Sequence, residues 1–510
     1  MARLRWASGI ALVTLTSTAC GMGGSTAGSG SADGGGHIVY VESIPPNAAW
    51  APESDDAHDL VRAGCLETLV KSGYEGELEP MLATEWSQTA PTTWEFKLRE
   101  GVEFQNGSPM DADAVVGALT HLLEVKTPAR AINADVISGV KAVDETTVQI
   151  TTPGNDPLVP LRVAAPNSGI LAPEAYGGKA IDIQGTCTGP FTVTDEAPRQ
   201  SLSLERNESY WGGKVAAESA EVRFIIDGAT RATQLQTGEA QIIRSIPAAS
   251  VSTVENAADV KLQQLELART TVLLLNNSRP PFDDPLVRKA MQYAVDTQAI
   301  VDSVYEGTGV PAVGPFGPTT PWGPDGAEAI GVDLDEARNL LDQAGVDPKS
   351  LDIEVIAYND RAEFGDVAAV IQDELGELGI NVKIRAGDYA SVEPDMLSGD
   401  FDAALLSRGY LVDVADPAGF LLSDYTCDGG YNIAHYCDPA TDQMIKDAVA
   451  TEDQDARSEQ YKQIADKLES DAASVFLLHE GAVWGERSSV QNFRPHPLDY
   501  YVLTADLTAG

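Results

Sequence analysis

Between residues 284 and 387 the hydrophobic period of the chain switches repeatedly between that of a helix and that of a strand, and this alternation narrows the possible folds more than any other feature. "DDPLVRKAMQYAVDTQAIV" carries Asp284 as an N-cap and Pro285 at the first helical position, with Leu286, Ala290, Met291 and Ala294 at helical spacing. "DLDEARNLLDQAG" is a second helix, stopped at Gly345. The strand "DIEVIAY" follows, then a helix from Asp366 to about Leu378, then the alternating "INVKIRA". Strands separated by amphipathic helices define an α/β protein, and residues 280–480 read as one α/β lobe. Nearer the start, "TTWEFKLREGVEF" alternates at Trp94, Phe96 and Leu98 and turns at Gly101 and at Asn106-Gly107. "DADAVVGALTHLLE" then opens on Asp111 as N-cap and puts Val115, Leu119, Leu122 and Leu123 on one face, so this region reads as a strand pair feeding a helix. The Pro- and Gly-rich segment 309–326 is expected to run without regular structure across a surface or cleft rim.

Composition limits the partners. The chain has 34 Lys plus Arg against 77 Asp plus Glu, a net charge of −43 spread along its length. Phosphate binding needs clustered basic residues, so nucleic acid is excluded, and any single Asp competes with a background of solvated surface acid. With 510 residues, 43% of them apolar, the chain can build roughly two to four domains with folded cores. It shows no internal repeat of fixed period.

The first residues address the location. Arg3 and Arg5 precede a short apolar run from about Trp6 to Leu15, the layout of an export signal over residues 1–19. That run is shorter than the roughly 20 residues needed to span a bilayer. Ser17, Thr18, Ala19 and Cys20 resemble a bacterial lipobox, although Ser17 stands where Leu is usual; an ordinary secretory signal is the alternative. Residues 20–36, almost all Gly, Ser and other small residues after Cys20, form a tether with a reach of roughly 20–24 Å. The expected location is the outer face of a bacterial cytoplasmic membrane, held by a lipid on Cys20.

Four further cysteines can pair in three ways. Cys427 and Cys437 bound a short loop with Gly429 and Gly430 inside it, worth on the order of 2–3 kcal/mol as a disulfide. Cys65 is then left for Cys187. A metal site is the competing use, but there is no CxxC and no histidine at ligand spacing, so no metal and no cofactor is expected. Catalytic signatures are also missing: GxSxG, HExxH, GxxxxGK[ST] and GxGxxG do not occur, and "HE" at 479 lacks its second histidine. The expectation is a protein that is not an enzyme.

"LEPMLATEWSQTAPTTWEFKLREGVEFQNGSPMDADAVVGAL" resembles the signature region of the bacterial extracellular solute-binding proteins of family 5, the peptide and nickel type. "GTCTGPF" at 185–191 is similar to the family's G-T-G-P-F with a Cys and a Thr inserted, and "NESYWGGK", "ATRATQLQTGEAQII" and "DDPLVRKAMQYAVD" follow in the family's order. The resemblance covers residues 37–505. It implies a two-lobed, type II periplasmic-binding-protein-like fold with a hinge and an interlobe cleft. Lobe I would be 37–275 completed by 480–510, and lobe II 276–479. It also implies a monomeric receptor that captures peptides and delivers them to the permease and ATPase subunits of an ABC importer.

In peptide-binding members a Gly-Trp-x-x-Asp loop supplies a carboxylate for the ligand's α-ammonium. Here the run is Gly409, Tyr410, Leu411, Val412, Asp413, which makes Asp413 the ammonium ligand and Tyr410 an aromatic wall with a polar tip. Loss of the usual Trp at 410 keeps open a same-fold receptor for another solute, such as a metal chelate, sugar or cationic metabolite; an extracellular hydrolase is the more distant alternative. Asp416, before Pro417, is assigned to capping the next helix. Arg408 and Arg361 are the candidates for a ligand carboxylate, against a role as surface charges. Trp484 and Trp322 are candidates for the pocket wall, with core packing as the competing role.

Overall fold

The computed structural model describes residues 36–361, 363–411 and 414–510. The signal segment, Cys20 and nearly all of the tether lie outside the described residues. Eleven strands form the main sheet: β1 (His37–Glu42), β2 (Phe191–Ala197), β3 (Ser201–Arg206), β4 (Ser219–Phe224), β5 (Ile242–Ile243), β6 (Val260–Leu275), β7 (Val310–Pro311), β8 (Asp352–Tyr358), β9 (Asn381–Gly387), β10 (Ala403–Gly409) and β11 (Val475–Arg487). Their order is β9-β8-β10-β6-β11-β5-β1-β4-β3-β2, with β7 on β11. The early strands therefore lie on one side of the pair β6 and β11, and β8 to β10 lie on the other.

These two strands are unusually long, 16 and 13 residues, because each belongs to both halves. β11 pairs with β5 at Gly485 and Glu486, and β6 pairs with β10 from Arg269↔Gly409 to Leu275↔Ala403. Between the halves the β6–β11 ladder is interrupted: Glu266 faces Gly481 and Thr270 faces His479, so Leu267, Ala268 and Arg269 oppose Glu480 alone. A bulge of this kind bends and twists a strand pair locally, and here it falls between the stretch of β11 that pairs with β5 and the stretch of β6 that pairs with β10.

A separate four-stranded sheet runs in the order Ala83–Ala90, Thr93–Leu98, Thr147–Thr151, Gly139–Asp144. Thr93–Leu98 is a strand as its alternation predicts, but its partners are the flanking strands and not the following "GVEF", which makes one isolated bridge at Glu103↔Pro109. The helix Ala112–Glu124 follows, with the Asp111 carboxylate accepting from Ala114 N at 2.9 Å. Asp284 caps Pro285–Ala294 and Asp333 caps Leu334–Gln343 in the same manner, while Gly345 adopts φ 72° just past the second helix. Segment 309–326 departs from its expected surface course. Its first residues form β7, while Phe316 and Trp322 are buried and pack against Tyr410 and Tyr461. Apolar bulk in a Pro-rich strap here outweighs the polarity that such segments usually have.

Both expected disulfides are formed: Cys65–Cys187, and Cys427–Cys437 ten residues apart. Among the described residues no helix is long and apolar enough to cross a membrane.

Candidate functional site

The carboxyl end of β10 adjoins the lobe junction, and strand alternation divides its side chains between two faces. Arg408 and Tyr410 share one face. Arg408 binds Asp424 in a two-pronged contact, Nε to Oδ2 at 2.6 Å and Nη2 to Oδ1 at 2.9 Å, and its guanidinium lies 4.5 Å from the centre of the Tyr431 ring. Burial pushes the Asp424 carboxyl above its ordinary range, while Arg408, Ser423 and Arg130 pull it back. Tyr410 is 1% exposed; its hydroxyl accepts from Gly317 N at 3.2 Å, and its ring meets Phe316 edge-on at 5.3 Å.

Asp416 accepts from Ala418 N at 2.9 Å at the start of the helix Ala418–Asp424, as its place before Pro417 predicts. It is also paired with Arg457 at 3.0 Å and receives the Tyr461 hydroxyl at 2.7 Å. The capping carboxylate is thus also the centre of a buried network with Arg457 and Tyr461.

The opposite face of the sheet carries a polar seam. Glu480, 6% exposed, receives Arg361 Nη1 at 2.9 Å, the Thr271 hydroxyl at 2.8 Å and the Ser407 hydroxyl. Burial alone would raise its pKa; Arg361, Arg269 and the two hydroxyls outweigh that and hold it below the ordinary carboxylate range. Arg269 sits beside Glu480 and donates Nη1 to both the carbonyl and the hydroxyl of Ser407, each at 3.2 Å. Tyr358 closes the seam, its hydroxyl near Ser407 N at 3.5 Å.

Of the sequence candidates, Asp413 lies outside the described residues. Tyr410 and Arg408 come together on one face of β10, and Arg361 joins Glu480 on the other. Trp484 stands apart, 1% exposed in the first lobe, stacked 6.1 Å from Tyr40 and paired across the sheet with Gln263. Sequence reasoning missed Arg269, Ser407 and Glu480. A usable signal existed: Arg269 immediately precedes "TTVLLL", and Glu480 lies within "VFLLHEGAVW", so each is a charge at the edge or inside a strand-like apolar run. Testing "HE" at 479 only as half of a metallopeptidase motif hid it.

Two halves share one sheet through two long strands, with charged side chains where the strands cross, as in a two-lobed binding-protein fold. Residues 77–432 match the family described as "Bacterial extracellular solute-binding proteins, family 5 Middle", and the chain belongs to it. It is 28% identical over 436 residues to the "Probable D,D-dipeptide-binding periplasmic protein DdpA" of Escherichia coli, covering 83% of each chain. It is 25% identical over 486 residues to the "Nickel-binding protein NikA" of Staphylococcus aureus, covering 93% of this chain and 95% of that one. Among solved structures, that of the nickel ABC transporter from Bacillus halodurans superposes with a TM-score of 0.82 at 30% identity, over 93% of this chain and all of the other. The protein is therefore the extracytoplasmic substrate-binding component of an ABC importer.

Proposed function

We propose that this chain captures peptides with a free amino terminus between its lobes and passes them, as a monomer anchored by a lipid on Cys20, to an importer permease and its ATPase. In this reading residues 37–275 with 480–510 form one jaw and 276–479 the other, turning about the interrupted β6–β11 pair. Asp413 accepts the ligand's α-ammonium and Tyr410 stiffens the loop that carries it. The observation behind the proposal is the Gly409-Tyr410-x-x-Asp413 run leaving the carboxyl end of β10, which is parallel to β8. Ligands of open α/β sheets bind outside the carboxyl ends of parallel strands. An ammonium taken from water there needs a counter-charge. Similarity to a relative named for dipeptides adds support.

A thermal-shift series with dialanine and trialanine, free and N-acetylated, tests this. A ligand at a hundredfold excess over Kd stabilises by about 2.7 kcal/mol, so the free peptides should raise the melting temperature and the acetylated ones much less. Asp413→Asn should abolish the difference; equal shifts in variant and parent would remove Asp413 from the mechanism. Similarity to nickel-named relatives favours a second reading, a metal chelate. Nickel with free L-histidine belongs in the same screen, and a shift from it alone would replace peptides as the cargo.

A further inference from the structure

The Pro-rich strap that begins at β7 lines a cavity of about 440 Å³, with Val310, Val313, Pro324 and Ile330 in its wall together with Asp296 and His479. That size is usual for a small-molecule site. The cavity is on the other side of the sheet from the Glu480 seam, because His479 and Glu480 are successive residues of β11 and reach Thr270 and Thr271 on opposite faces. His479 is 1% exposed. Its Nδ1 lies 2.9 Å from the Thr270 hydroxyl, which lies 2.9 Å from the Pro315 carbonyl oxygen. These contacts fix the tautomer. A carbonyl can only accept, so the one hydroxyl proton of Thr270 goes to Pro315 O, and the hydroxyl oxygen accepts from Nδ1–H. Burial lowers the pKa of the ring to about 4, so at neutral pH Nε2 carries a lone pair and no proton. Among the described residues this Nε2 has no hydrogen-bond partner. His496, equally buried, differs: its Nε2 is 3.1 Å from Ser72 O and its Nδ1 accepts from Leu498 N at 3.1 Å. A buried acceptor that no protein group serves is costly to leave unmade.

We infer that this cavity is a second ligand site, separate from the cargo site, for an uncharged molecule with an apolar body and one O–H or N–H donor directed at His479 Nε2. The wall sets each part of that description. Its Val, Pro and Ile side chains offer no hydrogen bonds, so they suit an apolar body. The imidazole in this tautomer offers only an acceptor, so the ligand must bring the donor. Burial is the one influence on the ring's pKa, so no charged group stands close enough to act on it, and a charged ligand placed there would be taken from water without a counter-charge. Asp296, also in the wall, is already engaged, since its carboxylate accepts from Ala299 N at 2.9 Å. An anion would meet that carboxylate and the lone pair together.

The test is titration of the whole exported protein with phenol and with anisole, which share a ring and differ in the donor, read by proton–nitrogen correlation spectra of the histidine side chains. Near neutral pH phenol is uncharged. It should bind about tenfold or more tightly than anisole, the worth of one buried hydrogen bond, and should move the Nε2 resonance of His479, which anisole should leave in place. His479→Phe should bind the two compounds equally. Ala329→Trp, which fills the cavity from its wall and keeps His479, should bind neither. Melting temperatures of the variants check that they fold, and if His479→Phe does not, the parent's spectra and Ala329→Trp decide the matter. Equal binding of phenol and anisole by the parent, phenol binding that leaves the Nε2 resonance unmoved, or phenol binding that survives Ala329→Trp would each overturn the inference. So would the absence of saturable binding by either compound, which would leave water as the partner of Nε2.

Discussion

Two buried charge clusters in this molecule use the same residue types in opposite proportions. In the first lobe, Arg62 and Arg244 are enclosed by carboxylates: Arg244 meets Glu42 at 2.9 Å and Asp499 through Nε at 2.6 Å, and Arg62 meets Asp59 at 3.0 Å and Glu42 and Asp499 at 3.5 Å. Glu42 also receives the Tyr40 hydroxyl at 2.6 Å. At the lobe junction the balance reverses, with Glu480 serving both Arg361 and Arg269. The first cluster joins segments separated by up to 457 positions, Glu42 to Asp499, and satisfies its cations internally. In the second, Arg269 shares Glu480 with Arg361 and makes its own hydrogen bonds through Nη1 to Ser407. Buried guanidiniums surrounded by acid hold distant segments together; elsewhere Arg231 and Arg288 are buried without a carboxylate because backbone carbonyls take their donors, whereas Arg269 has only Ser407.

The sharpest way to break this comparison is to remove the shared carboxylate of the first cluster. Glu42→Ala should cost about 3–5 kcal/mol in denaturant unfolding, because two buried guanidiniums lose a common partner. A cost below about 1 kcal/mol would show that the cluster is not a lock. The next effect concerns pH. Asp59, the third acid of that cluster, is pushed up to about 7 by burial, with Arg62 opposing and Glu42 adding, while Glu42 is held at about 2. The signs differ. Glu42 contributes stability that is present above its unfolded pKa of about 4.5 and is lost as pH falls toward 2. Asp59 binds its proton more tightly in the folded state, so its contribution weakens as pH rises from about 4 to 7 and then levels off. The parent should therefore lose on the order of 2–4 kcal/mol between pH 4 and 8 through this one group. In melting curves, Asp59→Asn should remove that part of the slope and leave what other raised carboxyls such as Glu374 and Glu469 supply, and an unchanged slope would assign the pH dependence elsewhere.

How much of this was legible in the sequence follows from the range of each interaction. Helix starts depend on a side chain and an amide two or three residues away, so Asp111 and Asp284 could be read directly and each accepts the expected amide. The helix expected from Asp366 begins at Phe364, a shift of two residues at an end with no side-chain cap. Long-range pairing was less accessible. β6 and β11 meet across more than two hundred residues, and the interruption that places Arg269 against Glu480 arises from mutual register and not from a local pattern. The same distance explains why Arg361 and Arg408 looked alike in sequence. Each is an arginine in a loop or strand end until the fold brings Glu480 to one and Asp424 to the other.

The smallest expected effect separates the two clusters most directly. Glu480→Gln keeps the shape and an acceptor for the Thr271 and Ser407 hydroxyls but removes the charge facing Arg361 and Arg269. Arg361 has a side chain 28% exposed, against 11% for Arg62, so water can take over part of what Glu480 supplied. The expected loss is about 1–2 kcal/mol, well below that of Glu42→Ala. The loss should also be confined to pH above the unfolded carboxylate range, since a carboxylate with a depressed pKa stabilises only where it is ionised. A loss as large as that of Glu42→Ala would make Glu480 part of a lock like Glu42, and the contrast between the two clusters would collapse.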